Sequence, residues 1–261
     1  MKLQIYENKE VASKQVALYV VSKINEFGPT PSRPFVMGLP TGSSPEGIYQ
    51  NLIELYNAKK VSFENVVTFN MDEYLGLPPS DPQSYHYFMY SKFFNHINIK
   101  PENVNILNGL TDDVELECSN YEAKIKSYGE IQLFLGGLGP EGHIAFNERG
   151  SSRDSKTRKV QLVESTIIAN SRFWNNDTSK VPKYALSVGI STVLDNSKEV
   201  IIVVFGSNKH NALKETIEGE ITSRYPCTYL QEHKNCIVVT DYSAVNEDGN
   251  LIKKAEKNNL L

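Results

Sequence analysis

Cysteine is scarce in this chain: three residues in 261, at positions 118, 227 and 236, odd in number and widely scattered. That argues against a disulfide framework and for a reducing, cytoplasmic setting. Cys118 shares a helical face with Val114, Tyr121 and Ile125 and reads as a small core residue. No Cys/His cluster has zinc spacing, so no metal site is expected, and His86, His96, His210 and His233 stand alone as structural or surface residues. Long apolar runs are missing too. No window approaches the roughly 18 apolar residues of a membrane helix. The opening Met-Lys-Leu-Gln-Ile-Tyr-Glu-Asn-Lys-Glu lacks the apolar core of a secretory signal. A basic excess is absent as well: 27 Lys and Arg face 31 Asp and Glu, for a net charge of −4. Nucleic acid is therefore not an expected partner. An anionic ligand would have to be drawn in by local groups, not by the field of the whole molecule. There is no internal repeat, low-complexity tract or linker, so one domain over 1–261 is expected.

What is present is an alternation of strand and helix patterns. Residues 3–6, 35–38, 66–69, 131–135, 184–188, 200–205 and 236–239 read as strands, and the apolar run at 200–205 suits a strand buried on both faces. Val11, Val16, Val20 and Ile24 mark a helix that Gly28 can end, and Ile48, Leu52 and Leu55 mark another, with Ser44 as its expected N-cap and Pro45 at its first position. Helices are also expected at 85–94, at 114–125 and from Asn208. This order predicts an α/β fold: one doubly wound, mostly parallel, Rossmann-like sheet with helices on both faces. Residues 149–183 are the least regular and polar, as a lid or binding loop would be, and the tail from Asp248 reads as loosely held.

The densest chemistry lies in Leu133-Phe-Leu-Gly-Gly-Leu-Gly-Pro-Glu-Gly-His-Ile-Ala-Phe-Asn-Glu148. An apolar strand breaks into a glycine-rich turn that presents Glu141, His143 and Glu148. Carboxylates hold a histidine in one tautomer and raise its basicity, as proton transfer requires. His143 and Glu148 are five apart, so a strand would point them oppositely and a helix would splay them by roughly 140°. They can converge only from a turn beyond the strand's carboxyl end, where open α/β sheets bind ligands. Gly137-Leu-Gly139-Pro-Glu-Gly142 also satisfies a dinucleotide fingerprint, but Pro140 and Gly150 leave little room for the required helix, and the residues about 20 positions on are Arg-Lys-Val-Gln.

Three further features bear on function. Thr41-Gly42-Ser43-Ser44 leads from a strand toward a helix N-terminus, a setting whose free N–H groups and hydroxyls suit a phosphate dianion, although a plain βα turn would read the same. Lys209, after a second strand, and Arg172, in the irregular segment, could add cations, although either could be a solvated surface charge. Asp72 follows the third strand, where a carboxylate can serve as a general base or merely cap a turn. Together these suggest proton transfer on a sugar phosphate without a cofactor.

The chain resembles glucosamine-6-phosphate deaminases over nearly its whole length. Five ordered segments carry the resemblance: Gly38-Leu-Pro-Thr-Gly-Ser-Ser-Pro45, Val66-Val-Thr-Phe-Asn-Met-Asp-Glu-Tyr74, Gly139-Pro-Glu-Gly-His-Ile-Ala-Phe-Asn-Glu148, Ser171-Arg-Phe173 and Val181-Pro-Lys-Tyr-Ala185. The Gly-Pro-Glu-Gly-His wording is similar to fungal members. The resemblance implies conversion of glucosamine 6-phosphate and water to fructose 6-phosphate and ammonia. It assigns ring opening to His143, tuned by Glu141 and Glu148, and C2-to-C1 proton transfer to Asp72. It also assigns the phosphate grip to residues 41–44, Arg172 and Lys209, and a lid to residues of about 162–182. Two departures stand out. Many bacterial members have Asp where this chain has Glu141, which moves the carboxylate by about 1.5 Å. Family members activated by N-acetylglucosamine 6-phosphate use a Lys where this chain has Val160, and a Tyr in a longer tail. Here Ser151, Ser152 and Arg158 remain, but the residues from Leu251 onward contain no Tyr. Unregulated kinetics and a monomer or small homo-oligomer are therefore expected. Two other classes use related folds: 6-phosphogluconolactonases, which should lack the Asn70-Met-Asp-Glu-Tyr74 run, and sugar-phosphate sensors, which would need a DNA-binding helix-turn-helix that this sequence does not offer.

Overall fold

The computed structural model describes residues 1–255. Seven strands form a parallel sheet: β1 (Lys2–Tyr6), β2 (Phe35–Leu39), β3 (Val66–Asn70), β5 (Val104–Asn105), β6 (Leu133–Gly137), β9 (Val200–Val204) and β10 (Cys236–Asp241), in the order β1-β10-β9-β6-β2-β3-β5. The α/β, doubly wound sheet expected from the sequence is thus present. Successive side chains of a strand face opposite ways, and the core divides accordingly. Met37, Leu135, Ile201 and Val203 pack with α1 (Lys9–Phe27) and α2 (Glu46–Asn57) through Val16, Val20, Ile48 and Leu52, and with Met89 of α3 (Tyr85–Lys92). Val36, Phe134, Val200 and Ile202 face the other layer, built from α4 (Val114–Ser127), α6 (Ile190–Asn196) and α7 (His210–Glu218). Cys118, Tyr121 and Ile125 are all buried there, as their shared helical face predicts.

The connections reverse between β2 and β6. From β2 the chain moves outward to β3; from β6 it passes, within this sheet, to β9 on the other side. The carboxyl ends of these two neighbours therefore open a crevice, and the Thr41–Ser44 loop and the glycine-rich turn both leave from it.

Several local expectations need correction. The strand at 184–188 does not join the main sheet. As β8 (Tyr184–Ser187) it pairs antiparallel with both β4 (Asp72–Tyr74) and β7 (Arg158–Gln161), making a second sheet that the sequence pattern did not announce. The segment 149–183 is correspondingly more regular than its polarity suggested, since it holds β7 and α5 (Glu164–Ser171). Ser44 does not cap α2. The helix starts at Glu46, Pro45 occupies the cap position at φ −82°, and no side chain caps it. The helix expected from Asn208 begins as a 3-10 turn over Ser207–Lys209, and the α-helix follows from His210. The tail is held as far as it is described: after α8 (Tyr242–Val245), Asp248 caps α9 (Gly249–Lys254), Leu251 is fully buried and Ala255 bridges to Leu3. The end of the tail, 256–261, lies outside the described residues. Among the described residues no helix is long and apolar enough to cross a membrane, and no group of three or more His, Cys, Asp or Glu could hold a metal ion.

Candidate active site

A cavity of about 390 Å³ fills the crevice, and every site residue proposed from the sequence except Glu148 lines it. Its volume lies within the range of small-ligand pockets. Thr41, Gly42, Ser43 and Ser44 line it together. Gly42 holds φ at +93°, a value that L side chains rarely adopt, and Lys9 Nζ pins the loop by donating to the Ser43 carbonyl at 2.7 Å. No described group accepts from the backbone N–H of Gly42, Ser43 or Ser44. Lys209 and Arg172 line the same cavity. Lys209 is partly buried, and its Nζ donates to the Leu138 carbonyl at 2.6 Å. Burial, and then the charge of Arg172, push the Lys209 pKa down to about 8.

Asp72 lines the same cavity. The chain passes from β3 through Met71 straight into β4, so Asp72 sits where the two sheets meet, paired with Ser187 and only 6% exposed. Burial, and then the neighbouring Glu73 charge, raise its pKa well above the ordinary carboxyl value. Glu73 itself turns away. It accepts from the backbone N–H groups of Tyr74, Tyr85 and His86 at 2.8–2.9 Å and so anchors the start of α3. Burial pushes its pKa up to about 7 against those three donors.

The glycine-rich turn brings His143 and Glu148 together, as their spacing required of a non-regular segment. His143 Nδ1 lies 3.0 Å from Glu148 Oε2. The turn achieves this with Gly142 at φ +80° and Ala145 at φ +51°. Gly139 supplies the space: a Cβ there would lie 2.0 Å from His143 Nε2. Burial opposes the Glu148 charge, but the hydrogen bond and charge of His143 and the Thr166 hydroxyl outweigh it and hold the carboxyl below its usual range. Glu141 departs from the expected cluster. It lines the cavity but is exposed, and among the described residues Glu148, not Glu141, is the carboxylate that meets the imidazole.

Residues the sequence reading passed over complete the walls. Tyr74, Tyr85, Phe146 and Trp174 form an aromatic cluster, with Tyr74 and Trp174 edge to face at 5.5 Å. Thr166 and Asn170 of α5 reach across to Glu148 and the Tyr74 hydroxyl. Aromatic spacing near Asp72 was a usable signal for the first group; nothing local marked the second. Val160, in β7, packs against the same cluster, which accounts for an apolar residue there. Arg158 is engaged with Asn147 Oδ1 at 2.8 Å and Ser151 Oγ at 3.2 Å. Three of the isolated histidines have backbone carbonyl partners: His96 with Ser91, His210 with Ala244 and His233 with Ser197. His86 stacks on Tyr90.

Residues 7–239 match the family described as glucosamine-6-phosphate isomerases/6-phosphogluconolactonase. The chain is 64% identical over 245 residues to a glucosamine-6-phosphate isomerase of Candida albicans, covering 94% of this chain and 97% of that one. It is 54% identical over 264 residues to a glucosamine-6-phosphate deaminase of Parabacteroides distasonis, covering 100% of this chain and 97% of the other. A solved monomeric glucosamine-6-phosphate deaminase superposes with a TM-score of 0.89 at 39% identity, covering 94% of this chain and 99% of that one. A 6-phosphogluconolactonase from Thermotoga maritima, at TM-score 0.71 and 20% identity over 92% of this chain and 100% of that one, shares the fold. The chain belongs to the glucosamine-6-phosphate isomerase/6-phosphogluconolactonase family.

Proposed function

We propose that this chain is a glucosamine-6-phosphate deaminase, an aldose–ketose isomerase and aminohydrolase of amino-sugar catabolism acting in a cytoplasmic setting. The observation that carries the reading is one cavity lined by the buried Asp72 carboxylate, by His143 with Glu148 held against its Nδ1, and by the Thr41–Ser44 loop with Lys209 and Arg172. The high identity to proteins named for this activity supports it. The substrate phosphate rests on the 41–44 loop between Lys209 and Arg172. His143 takes the proton of the anomeric hydroxyl and returns one to the ring oxygen, opening the pyranose. Asp72 then removes the C2 proton and delivers it to C1. Burial makes Asp72 the stronger base, and the cationic amine of the substrate at C2 favours its ionised form. The C2 iminium adds water and releases ammonia, leaving fructose 6-phosphate. Residues 162–182 act as the lid; Thr166, Asn170, Arg172 and Trp174 from this stretch already wall the cavity. The direct test is release of ammonia from glucosamine 6-phosphate, with 6-phosphogluconolactone and N-acetylglucosamine 6-phosphate as controls. Hydrolysis of the lactone without ammonia release would replace this reading with the lactonase one.

Lys209→Ala and Arg172→Ala are each expected to lower kcat/KM at least about tenfold, since a hydrogen bond to a charged group contributes about 1.5–3 kcal/mol. Affinity for fructose 6-phosphate, which carries no amine, should fall as pH rises through about 8, where Lys209 loses its proton. Lys209→Ala should lack that limb. Calorimetric titration across pH checks both; unchanged binding in both variants would place the phosphate grip elsewhere.

Kinetics should be hyperbolic and unaffected by N-acetylglucosamine 6-phosphate, and the protein a monomer or small oligomer. Val160 offers no cation to an effector phosphate, a loss of about 1.5–3 kcal/mol that matches typical coupling energies of about 1–3 kcal/mol. Initial rates with and without the effector, and mass by light scattering, test this. Sigmoidal rates that the effector straightens, or a stable hexamer, would mean other residues serve that role.

A further inference from the structure

Helix α5 projects two side chains, one turn apart, into the catalytic floor. Thr166 Oγ1 donates to Glu148 Oε1 at 2.5 Å, and Asn170 Nδ2 donates to the Tyr74 hydroxyl at 2.8 Å. Positions i and i+4 share a helical face, so both bonds form in one docked pose of α5. The contact with Glu148 is buried: Thr166 is 5% and Glu148 8% exposed. The other Glu148 oxygen holds His143 Nδ1 at 3.0 Å. One carboxylate thus divides its two oxygens between the wall helix and the imidazole. An ionised carboxylate only accepts, so a neutral His143 in this pair carries its proton on Nδ1 and leaves Nε2 as the acceptor.

We propose that Thr166 is a positioning residue: its hydroxyl fixes the Glu148 carboxylate so that His143 adopts a single tautomer when α5 is docked over the cavity. Without that hydroxyl, Glu148 Oε1 is buried with no donor, and the carboxylate turns or recruits water to satisfy it. Either response loosens its hold on Nδ1. The inference couples the wall helix to the ring-opening group through one bond. It adds a requirement to the deaminase reading and rests on that reading only for its kinetic consequence. The charged and titratable groups that share the cavity with His143 are Asp72 and Tyr74 from β4, Tyr85 from α3, Glu46 from α2, Glu141 from the turn, and Arg172 and Lys209 from the segments flanking α5 and α7.

The test compares Thr166→Val, which keeps shape and removes the hydroxyl, with Thr166→Ser, which restores it. The full chain is labelled with ¹⁵N and saturated with inorganic phosphate, and the His143 ring nitrogens are read by NMR at neutral pH. The Nδ1–H form is expected in the wild type and Thr166→Ser, and a mixture of tautomers in Thr166→Val. With glucosamine 6-phosphate, kcat of Thr166→Val should fall roughly tenfold, with KM within about twofold and Thr166→Ser near wild type. An unchanged tautomer in Thr166→Val overturns the proposal whatever the rate does, and so does a changed tautomer with wild-type kcat. If the wild type releases no ammonia, the deaminase reading falls, and the nitrogen signals alone decide the role of Thr166.

Discussion

Asp72→Asn is expected to lower kcat by about 10²- to 10⁴-fold, the usual contribution of a general base, while affinity for fructose 6-phosphate stays within about threefold. Asn keeps the shape and removes the base. The position is unforgiving because Asp72 is fixed by its own strand pairing to Ser187 and is almost fully buried. The adjacent Glu73 cannot stand in. It points the other way and is committed to the N–H groups that open α3. Parallel measurement of kcat and ligand affinity separates loss of the base from loss of the pocket. A variant that keeps more than about half of wild-type kcat would remove Asp72 from the chemistry.

Gly139→Ala is expected to be nearly as damaging to turnover, with little effect on stability. The added methyl would fall 2.0 Å from His143 Nε2 and 2.3 Å from two ring carbons. The Gly139 N–H donates to the His143 carbonyl at 2.9 Å, so the backbones cannot readily separate and the imidazole must swing instead. The ring borders an open cavity and can move at little cost to folding, but it then leaves Glu148. A displacement of about 1 Å at a reacting group costs roughly hundredfold in rate. The expected outcome is a kcat reduced by about that factor with a Tm within a few degrees of wild type. Wild-type turnover in Gly139→Ala would show that the observed His143 position is not the working one.

Six of the seven main-sheet strands were legible because buried parallel strands leave apolar runs, as at Val200–Val204, and α1 because its apolar residues repeat with helical period; the two-residue edge strand β5 was too short to read. The second sheet was not. β4 is three residues long and separated from β3 by Met71 alone, and β7 carries Arg158 and Lys159 in an alternating edge pattern that reads as loop. At the site, the His143–Glu148 pair was readable as a turn because neither regular period could join those residues. The partner role given to Glu141 failed to appear in the geometry, since nearness in sequence does not decide which way a turn points a side chain. Thr166 and Gly139 were invisible for opposite reasons. Thr166 acts across a tertiary contact 18 residues from Glu148, and Gly139 matters for a volume it leaves empty.

The most direct measurement is a single NMR time course of the wild-type chain with glucosamine 6-phosphate in water. Fructose 6-phosphate and ammonium should appear in equal amounts as substrate disappears, and 6-phosphogluconolactone should be hydrolysed no faster than in buffer. Persistence of glucosamine 6-phosphate, or accelerated lactone hydrolysis without ammonium, would contradict the assignment of Asp72 and His143 to deamination.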